Sequence, residues 1–496
     1  MVPYGTTGAA PHSAPHANGA AGPAAPNGAP APSAPAPPRA RERLELLCDP
    51  GSLQVIRSAV RSHRLGDRAQ PGDGVIAGTG LIAGRPVACY AQDEGFAGGS
   101  LGEAQADSIV RVLRLADEAR MPVVALVASA GARIQEGTAG LAGYARVFAA
   151  TVALAGRVPQ ISVLTGFCAG GGAYAPALTD FVVMTEGSAM FLTGPAVVRE
   201  ACGEQVTPAE LGGRGVHERN GVCQMVAPTE PEAIALAQRL LSYLPQNSAD
   251  QPPTRPSLEP ELGDPGAHVP ERAAAVYDVR LVIRGVVDAG ELLEVAPKWG
   301  RNMVTAFASI GGTAVGIVAN QPRHMGGVID VEACDKAARF IRTCDAFGLP
   351  LVVFVDTPGF MPGTKQEAGG IVNRGAGLVN AFAGASVPRF TVVLRKAYGG
   401  AYIAMNAKDL GATLAFAWPG AQIGIMDARQ AVRIVHRRDL AACADPDELL
   451  DTLARDYARA NCGAAAAAAD GFVDEVIPPA QTRDRLVRAI STTSRA

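Results

Sequence analysis

The sequence has few cysteines, and none of them is arranged as a metal or redox motif. The chain of 496 residues contains nine cysteines, and no two of them form a Cys-x-x-Cys pair. Zinc ribbons and thioredoxin-like sites need such pairs, so both are excluded and no metal is expected in this chain. Scattered unpaired cysteines are typical of a reducing compartment, where they serve as small buried hydrophobic residues. We therefore expect a cytoplasmic location.

Excess charge of one sign and long apolar runs are also missing. Lys and Arg number 44 and Asp and Glu number 47, which gives a net charge of −3. No basic field is available to attract nucleic acid or an anionic membrane. The apolar stretches are short or interrupted, and none approaches the roughly 20 residues that a membrane helix needs. Neither nucleic acid nor a membrane is therefore an expected partner, although 48% hydrophobic residues suffice for sizeable cores.

Proline and charge are distributed unevenly, and this divides the chain. Residues 1–38 contain ten prolines and no Asp, Glu, Lys or Arg. Such a segment buries too little to offset its chain entropy, so it is predicted to be a disordered tail. A second stretch rich in proline and polar residues, 249–270, is predicted to be a linker. The expected domains are therefore residues 39–248 and 271–496.

The two predicted domains resemble each other. Residues 121–131 recur as the similar stretch 349–359, 228 positions later, and Gly84 and Gly312 follow similar hairpin turns at the same offset. Two glycine pairs, Gly170-Gly171 and Gly399-Gly400, lie 229 positions apart. A nearly constant offset between several landmarks indicates a duplicated fold.

Each copy alternates short apolar runs with helical patterns. The apolar runs are rich in β-branched residues and predict buried strands at 123–127, 160–164, 351–355 and 390–394. Helical periodicity lies between them, at 104–119 and 333–347. Strands alternating with helices imply β-α-β crossovers and an α/β fold.

Glycine clusters follow the predicted strands of both copies. One is residues 170–172 in the first copy, and the other is residues 399–400 in the second. Ligands of α/β sheets bind beyond the carboxyl ends of the strands, and consecutive glycine N–H groups that open a helix can stabilise negative charge there. The alternative is that these glycines only form tight turns. Two pairs at equivalent places favour an oxyanion-stabilising function.

Other catalytic motifs are missing from the sequence. It has no Gly-Lys-Ser/Thr phosphate loop, no complete dinucleotide fingerprint and no Gly-x-Ser-x-Gly nucleophile elbow. Ser129 follows a predicted strand, but no His or Asp at suggestive spacing accompanies it. A turn or cap is therefore the first interpretation of Ser129.

The motifs in both copies closely resemble the carboxyltransferase (β) subunit of biotin-dependent acyl-CoA carboxylases of the acetyl-/propionyl-CoA type. The resemblance extends from about Arg43 to the C-terminus. The segments that carry it in the first copy include Gly98-Gly-Ser-Leu-Gly-Glu103, Gly131-Ala-Arg-Ile-Gln-Glu-Gly137, Ala169-Gly-Gly171 and Pro176-Ala-Leu-Thr-Asp180. Those in the second copy include Lys336-Ala-Ala-Arg-Phe340, Asp356-Thr-Pro-Gly-Phe360 and Arg395-Lys-Ala-Tyr-Gly-Gly-Ala-Tyr402.

This resemblance implies two tandem crotonase-like ββα-spiral domains and a defined chemistry. The enzyme would transfer the carboxyl group of carboxybiotin to the α-carbon of an acyl-CoA, giving malonyl-CoA or an alkylmalonyl-CoA. Gly170 and Gly171 would donate to the thioester enolate, and Gly400 and Ala401 to the ureido oxygen of biotin. The resemblance further implies substrate-binding roles for Ser129, Gly131, Ala132, Arg133, Gly172, Tyr402 and Ile403.

The resemblance also implies partners. The chain has no Met-Lys-Met biotinylation motif, so a biotin carboxyl carrier and a biotin carboxylase are expected as separate chains. Family members are homo-oligomers, commonly hexamers, with active sites at dimer interfaces. The alternatives are a transcarboxylase or decarboxylase that runs the same chemistry in reverse, and a non-catalytic assembly subunit. Ile403 stands where propionyl-type members have Asp, which argues against a preference for propionyl-CoA and leaves acetyl-CoA or a less usual acyl group open.

Overall fold

Strands and helices alternate along the chain in a computed structural model that describes residues 40–272 and 274–493. The strands are β1 (Gln54–Ile56), β2 (Val75–Ile82), β3 (Arg85–Gln92), β4 (Val123–Ser129), β5 (Gln160–Ala169), β6 (Phe181–Thr185), β7 (Ala189–Phe191), β8 (Met225–Ala227), β9 (Leu292–Val295), β10 (Met303–Ile310), β11 (Thr313–Asn320), β12 (Leu351–Thr357), β13 (Arg389–Tyr398), β14 (Leu414–Ala417), β15 (Gln422–Gly424) and β16 (Glu475–Val476). The predicted disordered tail, residues 1–38, lies outside the described residues.

The helices follow the same alternation. They are α1 (Ala40–Leu47), α2 (Glu103–Ala119), α3 (Thr138–Ala153), α4 (Gly171–Ala177), α5 (Pro195–Cys202), α6 (Pro208–Gly212), α7 (Arg214–Asn220), α8 (Glu230–Leu241), α9 (Val279–Arg284), α10 (Val331–Ala346), α11 (Thr364–Ala368), α12 (Ile371–Gly384), α13 (Gly399–Ala404), α14 (Ala428–Val435), α15 (Arg437–Ala442), α16 (Pro446–Asn461), α17 (Ala464–Ala469) and α18 (Thr482–Thr493). The predicted helices at 104–119 and 333–347 are confirmed as α2 and α10.

The two halves of the chain form sheets of the same topology. The first sheet has the order β1-β2-β3-β4-β5-β6-β8, and β7 pairs with β5. The second sheet has the equivalent order β9-β10-β11-β12-β13-β14-β16, and β15 pairs with β13. In each sheet an antiparallel hairpin leads into parallel strands. The predicted duplication is therefore confirmed strand by strand.

Both hairpins turn through two residues with positive φ. Ala83 and Gly84 connect β2 to β3, and Gly311 and Gly312 connect β10 to β11. This is the conformation of a type I′ turn, whose twist matches that of the flanking strands. The offset of 228 positions between Gly84 and Gly312 thus relates two hairpin turns of the same type.

The strands that lead to the glycine clusters are longer than the sequence predicted. The predicted strands 160–164 and 390–394 are confirmed, but β5 and β13 continue to Ala169 and Tyr398. Beyond an irregularity in the ladder, the last residues of β5 pair with β7 and those of β13 pair with β15. The short strands β7 and β15 thereby hold the chain just before each glycine cluster.

Aromatic side chains from both halves pack in one core. The ring of Phe307 in β10 lies 5.8 Å from that of Phe181 in β6, 5.0 Å from that of Phe340 and 6.1 Å from that of Tyr243. All four side chains are buried. Residues 249–270 are predicted to be a linker. Within this segment Thr254 forms an antiparallel β-bridge with Thr313 of β11 in the second sheet.

Candidate functional site

Two glycine loops at the carboxyl ends of equivalent strands form the candidate sites. The first glycine loop, residues 169–172, joins β5 to α4. The second glycine loop, residues 398–401, joins β13 to α13. Both glycine clusters therefore lie where the sequence predicts them, directly after a strand of the sheet.

Hydrogen bonds in the first glycine loop distinguish its N–H groups. Gly170 has a φ of +55°, which favours glycine, and its N–H donates to the carbonyl oxygen of Phe191 at 3.1 Å. Gly171 and Gly172 are the first two residues of α4, so their N–H groups have no acceptor within the helix. The geometry thus offers Gly171 and Gly172, rather than Gly170, as donors to a ligand.

Close packing explains why Gly171 and Gly172 have no side chains. A Cβ on Gly171 would lie 2.7 Å from the ring of Tyr144, and one on Gly172 would lie 3.1 Å from the Cβ of Ser129. The Tyr144 hydroxyl and Ser129 Oγ are 3.0 Å apart in a buried hydrogen bond. Ser129 and Tyr144 therefore form the surface on which the first glycine loop lies.

A second segment, the first bridge loop (residues 129–133), lies beside the glycine loop. Leu101 donates its N–H to Gly131 O at 2.8 Å and accepts from the N–H of Arg133 at 2.9 Å. In this pattern the N–H of Ala132 points away from Leu101. A Cβ on Gly131 would lie 3.1 Å from the carbonyl oxygen of Ala169, which places this loop against the glycine loop.

The side chain of Arg133 is inaccessible. It has no exposed surface, and its guanidinium lies 2.7 Å from Asp73 Oδ1 and 2.8 Å from Glu136 Oε1. Burial raises the pKa of Asp73, while the charge of Arg133 opposes that rise. Arg133, predicted to bind substrate, thus donates from Nη1 and Nη2 to protein oxygens, while its buried Nε has no hydrogen-bond partner.

The C-terminal half repeats the arrangement. The second bridge loop, residues 357–361, pairs with Ile329, which donates to Gly359 O at 3.0 Å and accepts from Met361 N at 2.8 Å. Phe360 therefore occupies the place of Ala132, and its ring lies 3.7 Å from where a Cβ on Gly400 would be. Gly400 and Ala401 are the second and third residues of α13, and they correspond to Gly171 and Gly172 of α4 because Gly399, like Gly170, has a positive φ.

Tyr402 and Ile403 follow the second glycine loop on α13. The hydroxyl of Tyr402 donates to Phe472 O at 3.1 Å, and burial raises its pKa to about 12. The Ile403 side chain is 50% exposed, like Tyr174 at the equivalent position of α4, which is 51% exposed. An accessible Ile403 is compatible with its predicted position next to a ligand.

Sequence reasoning missed three residues at the first site. Asp73, Tyr144 and Leu101 hold the two loops but lie in other elements, and no motif singled them out in that role. The offset of the repeat relates Gly400 and Ala401 to Gly171 and Gly172, at 229 positions.

The described part of the chain has neither a membrane-spanning helix nor a cluster of metal-binding side chains. Within residues 40–272 and 274–493, no helix is both long enough and apolar enough to cross a bilayer. Over the same residues, no group of three or more His, Cys, Asp or Glu side chains could hold a metal ion.

Known proteins resemble this chain over nearly its whole length. A family model described as the carboxyl transferase domain matches residues 38–496. The methylmalonyl-CoA carboxyltransferase 12S subunit of Propionibacterium freudenreichii subsp. shermanii is 45% identical over 462 residues, covering 91% of this chain and 87% of that protein. The propionyl-CoA carboxylase beta chain of Saccharopolyspora erythraea is 44% identical over 472 residues, covering 91% and 86%.

A solved structure is similarly close. The crystal structure of transcarboxylase 12S, a hexamer assembly with methylmalonyl-CoA and methylmalonic acid bound, matches with a TM-score of 0.89. The identity is 44%, and the match covers 92% of this chain and 90% of that one. Together with the two sheets of equal topology, this likeness confirms the predicted α/β fold of two tandem crotonase-like domains.

Proposed function

The chain belongs to the carboxyl transferase domain family, and we propose that it transfers the carboxyl group of carboxybiotin to the α-carbon of an acyl-CoA. One observation carries the proposal. The duplicated fold presents two glycine loops at equivalent strand ends, each with N–H groups that have no acceptor within their helix. A carboxyl transfer between two substrates needs two such oxyanion sites, one for each developing negative charge.

The first glycine loop suits the acyl-CoA. An acyl-CoA loses its α-proton reluctantly, because negative charge accumulates on the thioester oxygen as the enolate forms. The N–H groups of Gly171 and Gly172, with that of Ala132, are the donors we assign to this oxygen. Removing one such donor typically lowers kcat by about 10²–10³-fold. Gly170 is not assigned as a donor, because its N–H is bonded to Phe191 O.

The second glycine loop suits the ureido group of biotin. Space is available there, since the nearest atom to a Cβ on Gly400 would be 3.7 Å away. The N–H groups of Gly400 and Ala401 are the donors we assign to the ureido oxygen. Carboxybiotin would supply CO₂ together with the basic nitrogen that accepts the α-proton. This division of labour explains why neither loop carries a His or a carboxylate as base.

Exposed apolar side chains at both loops support sites that lie between subunits. Leu192 is 57% exposed beside the first glycine loop, and Ile425 is 80% exposed at the equivalent place beside the second. Exposed apolar side chains at matching positions mark surfaces that another chain covers. We assign a homo-oligomer whose active sites lie at dimer interfaces, and the hexamer of transcarboxylase 12S makes a hexamer the expected form.

Domain limits, partners and location follow from the same proposal. Residues 39–248 and 271–496 are assigned as two carboxyltransferase domains joined by the linker 249–270, which the two equivalent sheets support. Biotin carboxylase and a biotin carboxyl carrier are assigned as separate partner chains. Nine free thiols are consistent with a cytoplasmic location.

An acyl-CoA panel tests the proposal. The purified chain is combined with biotin carboxylase, a biotin carboxyl carrier, ATP, labelled bicarbonate and acetyl-, propionyl- and longer acyl-CoA esters. We expect label in at least one acyl-CoA, and the apolar Ile403 favours an ester other than propionyl-CoA. Carboxylated biotin that persists in the presence of every ester would contradict the proposal.

The strongest alternative is a transcarboxylase, which uses the same two loops. The 45% identity with the methylmalonyl-CoA carboxyltransferase subunit supports it, although propionyl-CoA carboxylase chains are equally similar. In that case an added carboxylated acyl-CoA, rather than bicarbonate and ATP, would be the efficient source of the transferred carboxyl group.

A further inference from the structure

Three charged side chains are buried together beneath the first bridge loop. Arg133, Asp73 and Glu136 have no exposed side-chain surface, and Arg133 Nη1 contacts a carboxylate oxygen of each acid at 2.7 and 2.8 Å. The ring of Phe96 lies 5.2 Å from the guanidinium carbon. Buried charges need such ion pairs and hydrogen bonds, since desolvation costs several kcal/mol per ion.

The cluster connects three separate segments of the chain. Arg133 Nη2 donates to Asp73 O at 3.1 Å and to Ser100 O at 2.9 Å. The N–H groups of Glu103 and Gln105, at the start of α2, donate to Glu136 Oε2 at 2.7 Å and Asp73 Oδ2 at 3.0 Å. The guanidinium therefore anchors the bridge loop to the start of α2 and to the segment before β2.

The absence of a side chain at Gly102 leaves room for the guanidinium of Arg133. A Cβ on Gly102 would lie 2.4 Å from Arg133 Nη1 and 2.5 Å from Glu136 Oε1. Any other residue at position 102 would displace the ion pair, which gives Gly102 a specific packing role.

The fold itself does not require this cluster. The second bridge loop forms the equivalent backbone bridge between Ile329 and Phe360. At an offset of 228, the positions of Asp73, Arg133 and Glu136 are occupied by Arg301, Met361 and Thr364. The ionic anchor is therefore specific to the half that we assign to the acyl-CoA.

We propose that Arg133 is a positioning residue, whose ion pairs with Asp73 and Glu136 fix the N–H of Ala132 relative to those of Gly171 and Gly172. Arg133 contacts no substrate. Its backbone N–H forms the bond to Leu101 O, one residue beyond Ala132, so movement of the guanidinium is transmitted directly to the donor. The inference rests on the proposed function, and it predicts an effect on enolate formation without an effect on acyl-CoA binding.

Arg133→Lys tests this, because lysine keeps the charge but cannot reproduce the forked contacts. We expect kcat to fall about 100-fold, while the KM for acyl-CoA changes by less than about twofold. Arg43→Lys is the matched control. Arg43 in α1 is 2% exposed, and its hydrogen bonds reach Glu230 at 2.9 Å and Glu94 at 3.1 Å. The control should lose a similar amount of thermal stability and keep its kcat.

A second variant, Asp73→Asn, provides the same readouts if Arg133→Lys does not fold. Equal losses of kcat in the Arg133 and Arg43 variants would reduce the cluster to a structural role and overturn the inference. A raised KM at unchanged kcat would indicate substrate contact and also overturn it. Failure of the proposed function is distinguishable, since the wild-type chain would then transfer no carboxyl group at all.

Discussion

Gly400 offers the sharpest test at the scale of single residues. A Cβ at this position meets nothing closer than 3.7 Å, so Gly400→Ala should keep both the fold and the N–H. Gly400→Pro removes the N–H, and the second position of a helix has the φ of about −65° that proline adopts. We expect Gly400→Ala to keep most of the activity and Gly400→Pro to lose about 10²–10³-fold in kcat.

The same comparison separates an oxyanion donor from a packing glycine. Acyl-CoA binding by Gly400→Pro, measured by calorimetry, should be unchanged, because the acyl-CoA site is assigned to the other half. Equal activity of the two variants would show that the N–H of Gly400 is dispensable.

At this scale the sequence predicts Gly170 and Gly171 as oxyanion donors, and the structure adds that the N–H of Gly170 is bonded to Phe191 O. The glycines after β5 were expected to form an oxyanion site. The pairing of Gly170 with Phe191 depends on β7, a three-residue strand that carries no periodic pattern. The burial of Arg133 depends on Asp73, 60 positions earlier, and no local pattern reports such a contact.

Lys336 of α10 supplies a test at the scale of elements. Its side chain is 3% exposed, and Nζ donates to Met303 O of β10 at 2.7 Å. Burial lowers the pKa of Lys336 to about 7 from its ordinary 10.5. Between these two pKa values Lys336 is protonated in the unfolded chain and neutral in the folded one. The free energy of unfolding therefore increases as the pH rises through this range and decreases as the pH falls towards 7.

Lys336→Met should remove that pH dependence. The difference in unfolding free energy, wild type minus variant, is expected to rise between pH 7 and 10. Denaturant unfolding at several pH values and one protein concentration measures it, and other titrating groups cancel in the difference. A difference that stays flat or falls across this range would contradict the buried neutral amine.

The positions of helices and strands were the part of the fold that the sequence predicted best. Four predicted strands and two predicted helices are confirmed, because buried β-branched runs and 3.6-residue periodicity are local properties. The ends of β5 and β13 were not predicted, since their last residues leave one neighbour and pair with another. These extensions carry the chain to the glycine loops, so the least predictable part of each strand is the part nearest the site.

The whole molecule is built from two copies of one fold. The near-constant offset of 228–229 positions predicted two equivalent folds, and the two sheets have equivalent strand orders. The halves differ in their buried charges: the first bridge loop carries Arg133, paired with Asp73 and Glu136, whereas the buried Asp356 that precedes the second loop pairs with Arg395 of β13.

Mixed oligomers test whether one active site uses two subunits. Gly171→Ala places a Cβ 2.7 Å from the Tyr144 ring and should inactivate the first loop, while Gly400→Pro inactivates the second. Random reassembly of the two inactive chains into dimers leaves about a quarter of the sites with two intact loops. Recovery of about a quarter of wild-type activity is expected, after dissociation and reassembly confirmed by native mass spectrometry. No recovery would indicate that each site is built within one chain.

The central claim is that this chain alone contains both oxyanion sites for carboxyl transfer. The most direct measurement follows label from a carboxylated acyl-CoA to free biotin, with no partner protein present. The account predicts transfer by the wild type and by Gly400→Ala, and loss of transfer in Gly400→Pro. Failure of the wild-type chain to label biotin from any carboxylated acyl-CoA, or full transfer by Gly400→Pro, would contradict it.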